Sequence, residues 1–207
     1  MRGLYLVTPN WDDTDRLLDV SEQALQAGVA LLQYRHKSAD APQRREQAGA
    51  LLALARKYGV PFIINDFIEL CEELDADGVH VGGTDASVAQ ARARLGAGKI
   101  VGASCYGDLA LAQAAQAGGA SYVAFGGFYP SLVKQYPVTT PVDIVLQAKR
   151  EIALPCVVIG GMTPENAAPL VARGADMVAA ISSVVGRMDE AKDVNIAVQQ
   201  FNQLFAA

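Results

Sequence analysis

The chain has 207 residues, of which 51% are hydrophobic and 19% charged, with 19 glycines and 9 prolines. That composition excludes collagenous, low-complexity and disordered chains, and at this length a single core buries roughly 70% of the unfolded surface, so no disulfide or metal staple is required. The net charge of −5 supplies no global field for nucleic acid or an anionic membrane, so any anionic ligand must be held by a few local cations or backbone N–H groups.

In chain order, short runs rich in Val, Ile, Leu, Tyr and Phe alternate with longer stretches of helical period. The opening Met1-Arg2-Gly3-Leu4-Tyr5-Leu6-Val7-Thr8-Pro9 lacks the ~7–15-residue apolar stretch of a signal peptide, and no window reaches the ~18 apolar residues of a membrane span. Gly3–Thr8 reads as a strand, followed by a helix over Asp15–Ala27, a strand over Leu31–Arg35 and a helix over Ala41–Tyr58. The next predicted pairs are Pro61–Asn65 with Ile68–Leu74, Gly78–Val81 with Val88–Leu95, and Lys99–Ser104 with Leu109–Ala117. Strands at Tyr122–Gly126, Cys156–Gly160 and Met177–Ile181, with helices at Pro141–Glu151, Pro164–Ala172 and Val194–Phe205, complete the series. Asp40 before Pro42 and Thr163 before Pro164 are N-cap signals, and Gly28, Gly59, Gly118 and Gly174 follow helix ends. Cys71, Cys105 and Cys156 are odd in number and form no C-x-x-C pair, which suits reduced core thiols and a cytoplasmic protein.

The strands are nearly continuous apolar runs, as parallel strands covered on both faces are. Eight β-α beats in this length predict α/β architecture, a single (β/α)₈ TIM barrel over 1–207. A doubly wound open sheet is the rival, but Leu6-Val7-Thr8-Pro9-Asn10-Trp11 carries no Gly-rich dinucleotide fingerprint.

Chemistry in such a barrel sits at the C-terminal ends of its strands. Those positions hold Gln33, Arg35, His36 and Lys37; Asn65 and Asp66; Gly82 to Asp85; Ser104; Tyr129 to Lys134; Gly160-Gly161; and Ser182-Ser183. Strand alternation puts Gln33, Arg35 and Lys37 on one side, either as an anion-binding set or as a surface salt-bridge cluster, while His36 points the other way as a packing or surface residue. Asp66 and Asp85 end adjacent strands, so they either share a hard divalent ion with phosphate oxygens, the habit of Mg²⁺, or pair with Arg35 or Lys37, or Asp85 caps the helix that follows. His80 has no second histidine nearby for a zinc set and reads as a packed barrel residue. Gly160-Gly161 after the seventh strand suits a backbone phosphate site, or a tight turn.

The ordered set Gln33-x-Arg35-x-Lys37, Asn65-Asp66, Gly78-Val79-His80-x-Gly82-x-x-Asp85, Gly102-x-Ser104, Tyr129-Pro130-x-x-x-Lys134, Gly160-Gly161-x-Thr163 and Ile181-Ser182 resembles the thiamine phosphate synthase family, whose members are (β/α)₈ barrels. The resemblance implies a transferase that joins 4-amino-5-hydroxymethyl-2-methylpyrimidine diphosphate to a thiazole ethyl phosphate by dissociative substitution, releasing pyrophosphate. It implies that Gln33, Tyr34, Arg35, His36, Lys37, Asn65, Ser104 and Lys134 hold the pyrimidine diphosphate, with Arg35, Lys37 and Lys134 stabilising the leaving group. Asp66 and Asp85 would carry Mg²⁺, and Ser131, Leu132, Val133, Gly161, Ile181 and Ser182 would hold the thiazole phosphate. Family members often have Thr-x-Thr-Lys where this chain has Ser131-Leu132-Val133-Lys134, so Val133 lacks a hydroxyl, and Gly83 and Thr84 replace a Gln and a frequently acidic residue. A thiazole tautomerase-like isomerase and a non-catalytic phosphate-binding barrel are the alternatives. The implied partners are small phosphorylated molecules, with no nucleic acid and no membrane; a homo-oligomer is left open.

Overall fold

Every β-strand of the chain is followed by a helix, and this alternation closes on itself. The computed structural model describes residues 1–82, 87–130, 139–187, 190 and 192–206. Its strands are β1 (Gly3–Val7), β2 (Leu31–Tyr34), β3 (Phe62–Asn65), β4 (Gly78–Val81), β5 (Ile100–Tyr106), β6 (Tyr122–Phe125), β7 (Cys156–Ile159) and β8 (Met177–Ala180). All neighbours pair in parallel and β1 bonds to both β2 and β8, so the sheet is a closed barrel. Tyr5 stands opposite Leu31 on one side and Ala179 on the other.

Alternate residues face inward and outward. Tyr5, Leu31, Ile63, Tyr122, Val157 and Met177 pack together inside the barrel. Leu4, Leu6, Leu32, Val79, Val123 and Val178 face a second, larger core beneath the helices. Both faces are buried, which is why the strands read as unbroken apolar runs; each fully buried aliphatic contributes about 1.5–3 kcal/mol. The helices in this outer layer are α1 (Thr14–Gln26), α2 (Ala41–Tyr58), α3 (Ile68–Leu74), α4 (Val88–Leu95), α5 (Leu109–Ala117), α6 (Ile144–Glu151), α7 (Pro164–Ala172), α8 (Ser182–Val185) and α9 (Val194–Gln203).

Caps fix the helix starts. The Asp40 side chain accepts from Gln43 N–H ahead of α2, and Thr163 forms a capping box with Asn166 at α7. The cap of α4 is Ser87, in a capping box with Gln90, and not Asp85 as one sequence reading allowed. α6 begins at Ile144, three residues later than Pro141, because Ile144 N–H bonds to the Pro141 carbonyl and Val145 N–H to that of Val142, the tight spacing of a turn. The short α8 was missed: four residues are too few to show a helical period.

Several expected strands stop one residue early, so Thr8, Arg35, Gly126, Gly160 and Ile181 leave the ladder and begin the rim loops. β5 does the opposite and runs to Tyr106, past a register shift against β6 between Ser104 and Tyr106. Such an irregularity re-aims side chains at a barrel rim.

Candidate active site

The C-terminal mouth of the barrel encloses a cavity of about 520 Å³. Two arcs of its rim carry the chemistry: one follows β2 and β3, the other β7 and β8, with β1 between them.

On the first arc, Gln33, Arg35 and Lys37 all line the cavity, as their alternation requires. Arg35 is buried; its backbone N–H donates to Thr8 Oγ1 at 2.8 Å, and its guanidinium reaches Asn10 Oδ1 at 3.4 Å. Lys37 is half exposed, with Nζ 3.0 Å from Asp66 Oδ2. That oxygen also accepts from Asn65 Nδ2 at 2.6 Å. Asp66 holds a φ of 67°, a left-handed conformation that Asp tolerates better than most residues, and its N–H donates to the His80 carbonyl. The carboxylate is therefore pinned at the rim by its own backbone, an amide and a cation.

Tyr34 and His36 are not brought to this cavity. Both lie on the other side of the chain, buried beneath α2, where the Tyr34 hydroxyl donates to Gln47 Oε1 at 3.0 Å and His36 Nδ1 meets the same oxygen at 3.2 Å. Their placement follows from the alternation that directs Gln33, Arg35 and Lys37 inward, so these two side chains occupy packing positions outside the cavity. Gln47 Nε2 donates onward to the Trp11 carbonyl and Thr14 Oγ1, which ties the loops after β1 and β2 together.

On the second arc, Gly160, Gly161, Ile181, Ser182 and Ser183 line the same cavity. Gly161 turns with a φ of 61°, and a Cβ built there would lie 2.1 Å from the Pro130 carbonyl oxygen, so only glycine fits. Asn166 Nδ2 holds the Gly161 carbonyl at 2.9 Å, fixing the loop to the start of α7. Ser182 and Ser183 open α8, and first-turn N–H groups of a helix have no partner within it. Lys192, which sequence reasoning did not single out, brings a cation to this rim. It comes from a polar stretch without periodicity, so no pattern marked it.

On the cavity floor, Gln33 and Ser104 were expected, while the parts of Tyr5, His80 and Tyr122 were missed. Tyr5, Gln33, His80 and Ser104 line it, and Tyr122 lies against them. They sit in strands that read as apolar, so Tyr5 and Tyr122 were legible only as core, and His80 as a packed residue. Burial pushes the Tyr5 and Tyr122 hydroxyls well above the ordinary phenol range, so both remain protonated. Ser104 lies where expected, on β5 facing the cavity. Cys71, Cys105 and Cys156 are free and buried, and burial raises their thiols to about 11, 12 and 12, far from nucleophilic use. Asp85, Ser131, Leu132, Val133 and Lys134 lie outside the described residues. No group of three or more His, Cys, Asp or Glu side chains suited to a metal occurs among the described residues.

A family model described as thiamine monophosphate synthase matches residues 4–184. The thiamine-phosphate synthase of Janthinobacterium sp. (strain Marseille) is 64% identical over 206 residues, covering 100% of this chain and 98% of that one. The thiamine-phosphate synthase of Thiobacillus denitrificans is 51% identical over 205 residues, covering 99% of this chain and 95% of its own. Among solved structures, the thiamine phosphate pyrophosphorylase of Pyrococcus furiosus superposes with a TM-score of 0.83 at 28% identity, covering 98% of this chain and 94% of that chain.

Proposed function

The chain belongs to the thiamine monophosphate synthase family, and from that membership we propose how its barrel mouth performs the family's reaction. Its activity is thiamine-phosphate synthesis, a transferase reaction on small phosphorylated substrates. Two anions must meet in one site: 4-amino-5-hydroxymethyl-2-methylpyrimidine diphosphate and a thiazole ethyl phosphate. The observation that carries the assignment of sites is the pairing of an arc bearing Arg35 and Lys37 with an arc of glycine turn and α8 backbone, edged by Lys192, around a single cavity.

The first arc takes the diphosphate. Arg35 offers a fork of N–H donors for phosphate oxygens, Lys37 a mobile point charge, and Asn65 an amide beside them. Lys134 is proposed to join this set. Gln33 and Ser104 on the floor hold the pyrimidine ring. The second arc takes the monophosphate: Gly161 lets the backbone approach, while Ile181 and Ser182 flank the thiazole together with Ser131, Leu132 and Val133.

Mg²⁺ is taken by hard oxygen donors, with one or two carboxylates, substrate phosphates and several waters. Asp66 fits that habit. Its carboxylate stands at the cavity rim, where Oδ2 meets Asn65 and Lys37. Asp66 and Asp85 are therefore proposed to hold Mg²⁺, which when bound supplies charge neutralisation to the leaving pyrophosphate.

The proposed chemistry is a dissociative substitution. The bond between the pyrimidine methylene carbon and the diphosphate oxygen breaks, its electron pair leaving with pyrophosphate. The thiazole nitrogen lone pair then forms the new C–N bond, with no proton transferred. Arg35 and Lys37 stabilise the charge that develops on the leaving oxygens, and the second arc holds the nucleophilic nitrogen within reach. A general base and a nucleophilic side chain are not needed.

Among the described residues no helix is long and apolar enough to cross a membrane. A cytoplasmic location is proposed on the strength of three free, buried cysteines.

Pyrophosphate release from the purified protein with both substrates and Mg²⁺ tests this reading. Arg35→Ala is expected to lower kcat by about 100–1000-fold, the usual loss for one donor to a developing anion. Asp85→Ala is expected to abolish turnover with the fold intact by circular dichroism. Near-normal Mg²⁺-dependent rates in either variant would show that its role is misassigned.

A further inference from the structure

Five polar side chains from five different elements form one unbroken chain of hydrogen bonds across the cavity floor. Gln33 Nε2 donates to the Tyr5 hydroxyl, which lies 2.7 Å from the Tyr122 hydroxyl; that hydroxyl lies 2.9 Å from His80 Nδ1, and His80 Nε2 lies 2.8 Å from Ser104 Oγ. Four of the members are buried, with exposures of 1% for Tyr5, 0% for Tyr122, 4% for Gln33 and 8% for His80, and Ser104 is partly buried. The rings reinforce the order: Tyr5 meets Tyr122 edge to face at 5.8 Å, and His80 stacks on Tyr122 at 5.6 Å. Space for Tyr122 is reserved by Gly102, where a Cβ would lie 2.0 Å from the Tyr122 Cζ.

The direction of this chain is set at one end. An amide N–H can only donate, so Tyr5 accepts from Gln33 and spends its own proton on Tyr122. Tyr122 then donates to His80 Nδ1, which must be bare, and the imidazole proton sits on Nε2 and is given to Ser104. Raised tyrosine hydroxyls keep both protons in place at neutral pH. Two groups facing the cavity are left with fixed polarity: Gln33 with a carbonyl oxygen that accepts, and Ser104 with a hydroxyl proton that must be donated elsewhere.

We infer that Tyr5, Tyr122 and His80 are positioning residues that lock the polarity of Gln33 and Ser104, so that the floor accepts an aminopyrimidine edge and rejects its oxo counterpart. The inference rests on the reading that Gln33 and Ser104 face the pyrimidine ring. An amino group donates and the adjacent ring nitrogen accepts, which complements one acceptor and one donor on the floor. In the 4-oxo analogue both polarities are reversed, and neither end of the chain can turn over without breaking a buried bond.

Two measurements test it. The first is independent of turnover: ¹⁵N NMR of histidine-labelled protein, in which only two histidines occur and His80→Gln assigns the signals. A neutral His80 with its proton on Nε2 is expected, and an Nδ1–H tautomer would overturn the relay. The second is the ratio of kcat/KM for the amino over the 4-oxo pyrimidine diphosphate, expected to be roughly 1000-fold in the unaltered enzyme, the discrimination that follows when two buried polar groups each face the wrong partner. Tyr122→Phe removes the link between the two halves and is expected to bring the ratio to about tenfold, with KM for the thiazole phosphate moving less than about twofold. An unchanged ratio in a folded Tyr122→Phe enzyme would overturn the inference. Should that variant not fold, the tautomer of the unaltered protein decides the matter. If the unaltered enzyme turns over the amino substrate without preferring it, the placement of the ring on Gln33 and Ser104 fails instead, while the tautomer still reports on the relay.

Discussion

At Gly161 the backbone passes directly beneath the Pro130 carbonyl, and the 2.1 Å that a Cβ would have to occupy is not available. Gly161→Ala must therefore push the segment at Pro130 away or unwind the turn, at a cost of about 1–3 kcal/mol of stability. The expected kinetic result is a rise of at least about tenfold in KM for the thiazole phosphate with a smaller change for the pyrimidine diphosphate, since the damage is confined to the second arc. Equal changes in both KM values would show that Gly161 is not specific to one anion. Arg35, Lys37, Asn65 and Asp66 were legible because strand alternation and rim position place charged residues where an apolar barrel has no other use for them. Tyr5, Tyr122 and His80 were not, because a phenol or imidazole in an apolar strand has the same sequence signature whether it fills the core or joins a hydrogen-bond chain. Tyr34 and His36 show the converse: adjacency to a motif singled them out, and the two-residue period of the strand turns their side chains toward α2.

Between neighbouring helices, ion pairs form a belt around part of the barrel: Lys57 with Glu22 joins α2 to α1, Arg45 with Glu73 joins α2 to α3, and Arg94 with Glu69 and Glu72 joins α4 to α3. The basic partners hold the Glu22, Glu69 and Glu73 carboxyls below their ordinary value of 4.5. A carboxyl whose folded pKa is depressed stabilises the fold above its unfolded pKa and loses that contribution as pH falls through the folded value. The melting temperature is thus expected to fall as pH drops from about 5 to about 3 and to be less sensitive to pH in high salt. A flat profile in that window at low salt would contradict it. Beneath α2, Gln47 makes four hydrogen bonds to Tyr34, His36, Trp11 and Thr14 while fully buried. Gln47→Leu strands several of those partners and is expected to cost about 2–4 kcal/mol in urea unfolding, at about 1–3 kcal/mol per buried group left unpaired. A loss under about 0.5 kcal/mol would show that the loops are held otherwise. The β-α beat was readable at this scale because caps such as Asp40 and Thr163 act locally. The start of α6 was not, since Pro141 suits the first position of a helix and of a turn equally.

For the molecule as a whole, an acidic chain of net charge −5 binds two anions, so its global field opposes the task and local groups must prevail. The closed barrel solves this by bringing the ends of β2, β3, β7 and β8 to one mouth, where Arg35, Lys37, Lys192 and a glycine turn line a cavity of about 520 Å³. Closure was legible from the count of beats, while the depth of the floor and the presence of Lys192 depend on which inward residues meet across the barrel, a property of pairing register that no local window carries. The division of labour between the two arcs is tested most directly by a crystal structure with thiamine phosphate, pyrophosphate and Mg²⁺ bound. The expected result is pyrophosphate against Arg35 and Lys37 with the metal on Asp66, and the monophosphate on the backbone of Gly161 and Ser182. Pyrophosphate seated on the Gly161 arc, or a monophosphate held by Arg35, would contradict it.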